Sequence, residues 1–106
     1  MFYEIRHYVT KPGRREEWLR FMEQTVIPFQ RSKGMVITAS FTDEEDPDGY
    51  VWIRRFEDEA QRVEAYAAVY DSDRWTGELG PAVADLLFLE RSVVTRVVPT
   101  RGSLLR

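Results

Sequence analysis

Hydrophobic and polar residues alternate along four stretches of this chain. In residues 2–9 the alternation has a period of two, and aromatic and β-branched residues are frequent, so the stretch predicts a β-strand. Residues 35–42, 50–56 and 88–98 have the same character and predict three further strands. The first strand ends at Lys11-Pro12-Gly13, because proline and glycine together are typical of a turn.

Two segments between these strands repeat their apolar residues at helical spacing instead. The first begins near Arg14, and we expect Pro28 to end or kink it and Gly34 to stop it. The second begins at Asp58, a typical N-cap residue, with Gln61 three positions later. The apolar positions of the two predicted helices are Trp18, Phe21, Met22, Val26 and Phe29, and Ala60, Val63, Ala67 and Tyr70.

The order strand, helix, strand, strand, helix, strand predicts an α+β fold. It is that of a ferredoxin-like split βαβ sandwich, a four-stranded antiparallel sheet with helices on one face. A short helical turn within residues 77–87 and a tail over residues 99–106 complete a single domain, residues 1–106. In this topology the first and third strands are adjacent and central. The second face of the sheet has no helices to cover it.

The composition excludes several classes of site. The chain has no cysteine and one histidine, so disulfides, thiolate zinc sites, cysteine nucleophiles and histidine-rich metal sites are ruled out, and we expect no cofactor. The acidic stretch 43–49 lacks the ligand spacing of an EF-hand and is better explained as a hairpin loop. Apolar runs are far shorter than a membrane helix, and residues 1–8 do not resemble a signal peptide. We therefore expect a cytoplasmic protein without membrane contact.

Charge bears on the choice of partner. The net charge is −3, which gives no global support for binding nucleic acid. The basic residues are thirteen arginines and only two lysines. Arginine recognises carboxylate and phosphate groups through a planar fork of donors, so the positions of the arginines matter.

Two rows of side chains on the central strands form the candidate site. Glu4, Arg6 and Tyr8 share one face of the first strand, because side chains two residues apart point the same way. Trp52, Arg54 and Phe56 share a face of the third strand. We place both rows on the sheet face away from the helices, where so much aromatic surface must be covered by a second chain, a nucleic acid or a ligand. The rows then either line a pocket or form ion pairs within a filled dimer interface.

His7 has the opposite parity to this row. It lies with Ile5 and Val9, on the face that we expect to contact the helices. A partly buried structural histidine is the simplest interpretation. A catalytic base is the alternative, if a bulge shifts the strand by one residue.

The same residues resemble a known family. Tyr3-Glu4-Ile5-Arg6-His7-Tyr8 followed by Lys11-Pro12-Gly13 resembles the amino-terminal signature of NIPSNAP proteins. Phe56-Glu57-Asp58 with Arg62, and Asp73-Arg74-Trp75, resemble two further motifs of that family. Two positions depart from it: Arg54 stands where the family usually has tryptophan, and His7 where it usually has a small polar residue.

The resemblance implies a homodimer, in which two ferredoxin-like sheets pair into a dimeric α/β barrel. It implies no firm activity. The wider superfamily includes cofactor-free monooxygenases, isomerases, polyketide cyclases and haem-handling enzymes, but fold alone does not fix function.

Three functions remain open at this point. The first is a cofactor-free enzyme acting on an anionic aromatic or polyketide-like metabolite, in which Arg6 and Arg54 hold the anion and Glu4 or Tyr8 transfers a proton. Trp52 and Phe56 pack on its rings in this hypothesis. The second is a non-catalytic binding or interaction protein whose sheet face is filled dimer interface. The third, RNA binding through an aromatic strand, is disfavoured by the acidic loop beside it.

The charges of the candidate site predict the kind of ligand. One carboxylate, Glu4, cannot neutralise both Arg6 and Arg54, and an unpaired buried charge is costly. We therefore expect an anion between the two arginines.

Overall fold

Four strands form one antiparallel sheet in the computed structural model, which describes all residues from Met1 to Arg106. The order across the sheet is β2-β3-β1-β4, so β1 and β3 are central and adjacent, as predicted. The predicted four-stranded, ferredoxin-like α+β fold is confirmed. The strands are β1 (Phe2–Val9), β2 (Val36–Thr42), β3 (Gly49–Phe56) and β4 (Val93–Val97).

The helices are α1 (Arg15–Phe21), α2 (Ile27–Ser32), α3 (Glu59–Tyr70) and α4 (Gly80–Leu86). They form three segments: a wider turn joins α1 to α2, α3 is regular, and a second wider turn leads into α4. Asp58 caps α3, and its carboxylate accepts from the Gln61 N–H at 2.7 Å. None of the helices is both long enough and apolar enough to cross a membrane.

A π-helical turn precedes each proline of the helical layer. Met22–Val26 lies before Pro28, and Trp75–Leu79 lies before Pro81. In a regular α-helix the proline ring clashes with the carbonyl four residues earlier, and a widened turn displaces that carbonyl. The first helical segment therefore continues past Pro28. It stops at Gly34, as predicted, where φ is +98°.

The last strand is shorter than the sequence pattern indicates. The prediction was 88–98, whereas β4 covers only Val93–Val97. A 3₁₀ turn at Leu89–Arg91 takes up the first part of that stretch. The Phe88 N–H still donates to the Val9 carbonyl at 2.9 Å, so the chain follows β1 before it turns into β4.

The helices cover the opposite sheet face from the one that the sequence analysis assigned to them. Phe2, Tyr8 and Phe56 are buried in the core, where they pack with Trp18 of α1 and Val69 of α3. The prediction that this aromatic row lies on the uncovered face was therefore wrong. Both faces of the central strands mix apolar and polar residues, and the helices cover the face that carries the larger aromatic area, because its burial stabilises the fold more.

The open sheet face is mostly apolar, with His7 at its centre and Arg55 towards the end of β3. Ile5 and Ile53 face each other across the central strands, and His7 faces Val51 in the same way. Phe41 of β2 is 53% exposed on this face. The prediction that His7 contacts the helices was wrong as a consequence of the same error in face assignment.

Candidate functional site

A polar cluster lies between the sheet and α3. Glu4 of β1 is directly opposite Arg54 of β3, and Arg6 is opposite Trp52, so the two predicted rows meet side by side. α3 covers the rows with two tyrosine side chains one turn apart, and α2 adds a glutamine. The members of this polar cluster are Glu4, Arg6, Tyr8, Gln30, Arg54, Tyr66 and Tyr70.

Arg54 is the fully buried centre of the polar cluster. Its Nε and Nη2 donate to Glu4 Oε1 at 3.2 and 2.9 Å, and Nη2 also donates to the Tyr66 hydroxyl at 3.0 Å. Its Nη1 donates to Gln30 Oε1 at 3.0 Å and to the Tyr70 hydroxyl at 2.6 Å. Every nitrogen of the guanidinium therefore has a partner within the chain. Arg54 forms a buried ion pair and has no surface that a ligand could contact directly in this arrangement.

Glu4 is the only carboxylate of the polar cluster. Its Oε1 accepts from Arg54 and from Arg6 Nη1 at 3.2 Å, and its Oε2 accepts from the Tyr66 hydroxyl at 2.5 Å. Burial alone would raise the pKa of Glu4, but the Tyr66 hydrogen bond and the charges of the two arginines outweigh it, so the pKa is lowered. Burial and the Glu4 hydrogen bond raise the pKa of Tyr66. At neutral pH the pair is a carboxylate and a neutral phenol.

Arg6 connects the polar cluster to solvent. Its side chain is 16% exposed. Nε donates to the Tyr8 hydroxyl at 2.8 Å, and Nη1 donates to Glu4 and, at 3.3 Å, to Tyr66. Nη2 has no acceptor in the chain. Since two guanidinium groups face one carboxylate, the polar cluster carries a net charge of +1, and Arg6 is where that charge is accessible.

Aromatic rings surround both guanidinium groups. The Trp52 ring centroid is 5.0 Å from Arg54 Cζ and 6.0 Å from Arg6 Cζ, and the Phe56 centroid is 5.8 Å from Arg54 Cζ. Trp52 and Phe56 are buried in the core beneath the cluster. They therefore pack against the two guanidinium groups from the core side. The aromatic surface that a ligand can contact belongs to Tyr66 and Tyr70.

A groove of about 310 Å³ runs along α3 above the polar cluster. It is lined by Arg62, Val63, Tyr66, Ala67, Tyr70 and Asp71. The two tyrosines in this lining place their hydroxyl groups on Arg54, so one layer of side chains separates the groove from the buried ion pair. A larger groove, of about 360 Å³, lies between α1 and α4 and touches no member of the polar cluster. We refer to the first as the α3 groove.

The comparison with known proteins identifies the family. The NIPSNAP family model matches residues 3–103. The chain belongs to the NIPSNAP family. The resemblance stated from the sequence motifs is thereby confirmed. No curated protein matches this NIPSNAP chain.

Solved structures of NIPSNAP proteins have the same fold. A NIPSNAP family protein of unknown function from Agrobacterium tumefaciens is 31% identical, with a TM-score of 0.88 over 100% of this chain and 94% of that one. A second NIPSNAP family protein from the same organism is 22% identical, with a TM-score of 0.87 over 99% and 98% of the two chains. A more distant neighbour is an antibiotic biosynthesis monooxygenase, 20% identical, with a TM-score of 0.67 over 94% and 99%. The last two show the fold alone.

Three members of the polar cluster were missed in the sequence analysis of this NIPSNAP chain. Tyr66 and Tyr70 are four residues apart on α3, and this spacing alone could have placed both hydroxyl groups over the same part of the sheet. Gln30 offers no such signal, because a polar residue in a helix is usually exposed. Its burial follows only from the way the first helical segment packs on β3.

His7 takes no part in the polar cluster. Its side chain lies on the open sheet face, and its Nε2 is 3.9 Å from Asp43 Oδ2. The backbone of β1 separates it from Glu4 and Arg6, whose side chains point the other way. A role as catalytic base for this site is contradicted by that orientation. Nowhere do three His, Cys, Asp or Glu side chains come together as a metal ion would require.

Proposed function

We propose that this NIPSNAP protein binds a small organic anion with an aromatic ring, the anion at Arg6 and the ring in the adjoining α3 groove. Arg6 does not line the groove, but its Nη1 donates to Tyr66, which does. The observation that carries the proposal is the state of Arg6, which is partly exposed, belongs to a cluster of net charge +1 and has a terminal nitrogen without an acceptor. Tyr66 and Tyr70 supply the aromatic surface beside it. The sequence analysis assigned the anion to both Arg6 and Arg54. In this proposal Arg6 alone binds it, and Arg54 stays buried in the polar cluster.

The polar cluster also favours proton-transfer chemistry on such a ligand. An enolate or phenolate oxygen that develops charge beside Arg6 would be stabilised by its guanidinium group. Glu4 has a lowered pKa and is a poor base, and the Tyr66 hydroxyl already donates its proton to Glu4 Oε2. The Tyr8 hydroxyl accepts from Arg6 Nε and has no acceptor in the chain for its own proton, so Tyr8 is the proton donor in this proposal. Such a site would suit a cofactor-free monooxygenase, isomerase or cyclase, and the fold shared with an antibiotic biosynthesis monooxygenase is an analogy in its favour.

We further propose that the protein is a homodimer that pairs through its open sheet face. Ile5, Val51, Ile53, Phe41 and Val93 give this face an apolar surface with no helix over it. Water contact with so much apolar area is unfavourable, and a second copy has a matching surface. The polar cluster faces away from this interface, so each protomer would keep its own α3 groove.

Calorimetric titration with 4-ethylbenzoate and with its neutral analogue 4-ethylbenzamide tests the role of Arg6. We expect the benzoate to bind more tightly, and Arg6→Gln to weaken its binding by about 10- to 100-fold, the contribution of one charged hydrogen bond. The affinity for the benzamide should change little on Arg6→Gln. Arg20→Gln is the matched control, because Arg20 is an exposed arginine of the other groove. Equal binding of benzoate by the parent and by Arg6→Gln would contradict the proposal.

A further inference from the structure

The Gln30 side chain has a buried donor without an acceptor. Gln30 is fully buried, and its Oε1 accepts from Arg54 Nη1 at 3.0 Å. A guanidinium group can only donate, so the amide oxygen must face Arg54 and the orientation of the amide is fixed. Its Nε2 is then left buried with no partner. Buried amide groups without a partner are rare in folded proteins, because their desolvation is not compensated.

Tyr70 covers this point from the side of the α3 groove. Its hydroxyl accepts from the same nitrogen, Arg54 Nη1, at 2.6 Å, and its own proton has no acceptor in the chain. The Trp52 indole N–H, beside Arg54, is also buried without a partner. This part of the interior therefore has more hydrogen-bond donors than acceptors. From the wall of the groove, only the Tyr70 hydroxyl accepts from Arg54 Nη1.

We propose that Tyr70 covers an inner site for a second oxygen of the ligand, a carbonyl or carboxylate oxygen. When the Tyr70 side chain turns outward, that oxygen replaces the hydroxyl as the acceptor for Arg54 Nη1. It lies closer to Gln30 than the hydroxyl, which Nε2 does not reach, and so also accepts from Nε2. Tyr70 is half-buried and lines the groove, so its displacement opens the inner site to the groove. This inference rests on the proposed function, since it extends the same groove inward.

The spacing of the two sites defines the class of ligand. The outer anchor, Arg6, contacts the Tyr66 hydroxyl, and the inner site lies behind Tyr70. The ring centroids of Tyr66 and Tyr70 are 5.2 Å apart. Oxygen acceptors on opposite ends of a single benzene ring have a similar separation. The ligand is therefore an aromatic carboxylate with an acceptor, such as an acyl group, in the para position.

A pair of matched probes tests the inner site. 4-Acetylbenzoate and 4-ethylbenzoate have similar shapes, and only the first has a carbonyl oxygen in the para position. We expect the parent protein to bind 4-acetylbenzoate about tenfold more tightly, because the oxygen gains a hydrogen bond from a charged donor. Tyr70→Phe should retain or increase this preference, since the phenylalanine has no hydroxyl to compete with the ligand for Arg54 Nη1.

Gln30→Glu is the decisive variant because it keeps an acceptor for Arg54 and removes the unpartnered donor. The negative charge that it adds opposes both benzoates, so the measurement is the preference between the two compounds. It should abolish the preference for the acetyl compound. Gln24→Glu introduces the same charge on an exposed residue of the first helical segment and should leave the preference unchanged. In the parent protein, the side-chain amide signal of Gln30 in a ¹⁵N–¹H spectrum should shift with 4-acetylbenzoate and not with 4-ethylbenzoate. That measurement decides the question even if Gln30→Glu does not fold.

The outcomes separate the inner site from the outer anchor. If both benzoates bind equally well, depend on Arg6 and leave the Gln30 signal unmoved, the inner site is wrong and the proposed function stands. If the acetyl compound is preferred and shifts Gln30, but Arg6→Gln binds as the parent does, the inner site stands and the anchor is wrong. If the parent protein binds neither compound, both proposals are overturned.

Discussion

A single carboxylate holds together most of the polar interior of this protein. Glu4 accepts from Arg6, Arg54 and Tyr66. Without it, the helix-facing side of the sheet would contain one fully buried cation, Arg54, and one partly exposed cation, Arg6, with no carboxylate. Removal of one partner of a buried ion pair is far more damaging than replacement of the whole pair, because the remaining charge stays desolvated. The identity of this one residue therefore determines whether Arg54 is tolerated in the core.

Glu4→Gln should destabilise the fold at neutral pH by about 3–5 kcal/mol, the cost of a buried charge without its partner. Its effect should also depend on pH. The pKa of Glu4 is lowered in the folded protein, so the ionised carboxylate stabilises the fold above the ordinary glutamate pKa of about 4.3, and this contribution is lost as the pH falls below that value. Urea unfolding from pH 7 to pH 3.5 should show the parent approaching the variant in stability.

The exposed helix residue Glu64 provides the control for this titration. Glu64→Gln should follow the parent at every pH, since nothing in the chain pairs with its carboxylate. A constant difference between the parent and Glu4→Gln across the whole range would show that Glu4 contributes by shape or packing and not by its charge.

The elements of the helical layer depend on how proline is accommodated. Both π-helical turns end two residues before a proline, and the second also brings Gly80 against Trp75. A Cβ on Gly80 would lie 2.9 Å from the Trp75 carbonyl oxygen and 3.1 Å from its Nε1. Trp75 in turn packs edge-on against Tyr70 with centroids 5.0 Å apart, so this turn supports the wall of the α3 groove.

Gly80→Ala should therefore destabilise the protein by about 1–3 kcal/mol, despite the higher helix propensity of alanine, because the backbone of the same turn leaves no room for a methyl group. Gly77 lies in the same π-helical turn with open space around its Cα, so Gly77→Ala is the matched control and should be neutral or slightly stabilising. Chemical unfolding of the two variants checks this. Equal effects of the two substitutions would show that close approach to Trp75 is not the constraint.

At the scale of the whole molecule, the two faces of the sheet have separate roles. One face holds the polar cluster under the helices, and the other has a continuous apolar surface around His7. The proposed dimer would cover the second face without touching the first. Assembly and ligand binding would then be separable by mutation.

Phe41→Asp should shift the protein from dimer to monomer, because Phe41 is 53% exposed on the open face and a charge there would be buried on association. Leu89→Asp is the control, since Leu89 is equally exposed, at 51%, in the 3₁₀ turn before β4. Sedimentation at micromolar concentration distinguishes the two. A monomeric parent protein would remove the dimer proposal, and a dimeric Phe41→Asp variant would place the interface elsewhere.

The sequence by itself determined the elements and their order. Alternation along β1 and β3, helical spacing after Arg14 and the Asp58 cap each depend on neighbouring residues, and each was confirmed. It also determined that Glu4, Arg6 and Arg54 come together. The split βαβ topology makes β1 and β3 adjacent, and side chains two residues apart along a strand share a face. The family follows from local motifs in the same way.

Only the tertiary structure decided which face of the sheet the helices cover. The alternation of side chains shows which residues share a face of the sheet, but it does not show which face the helices cover. Here both faces carry apolar and polar side chains. Packing of Trp18 and Tyr66 on the aromatic row settled the choice, placed His7 on the open side and buried Arg54. The partners that make a buried arginine tolerable, Gln30 and the two tyrosines, come from helices distant in sequence, and contacts of that kind are fixed by packing and not by any local pattern.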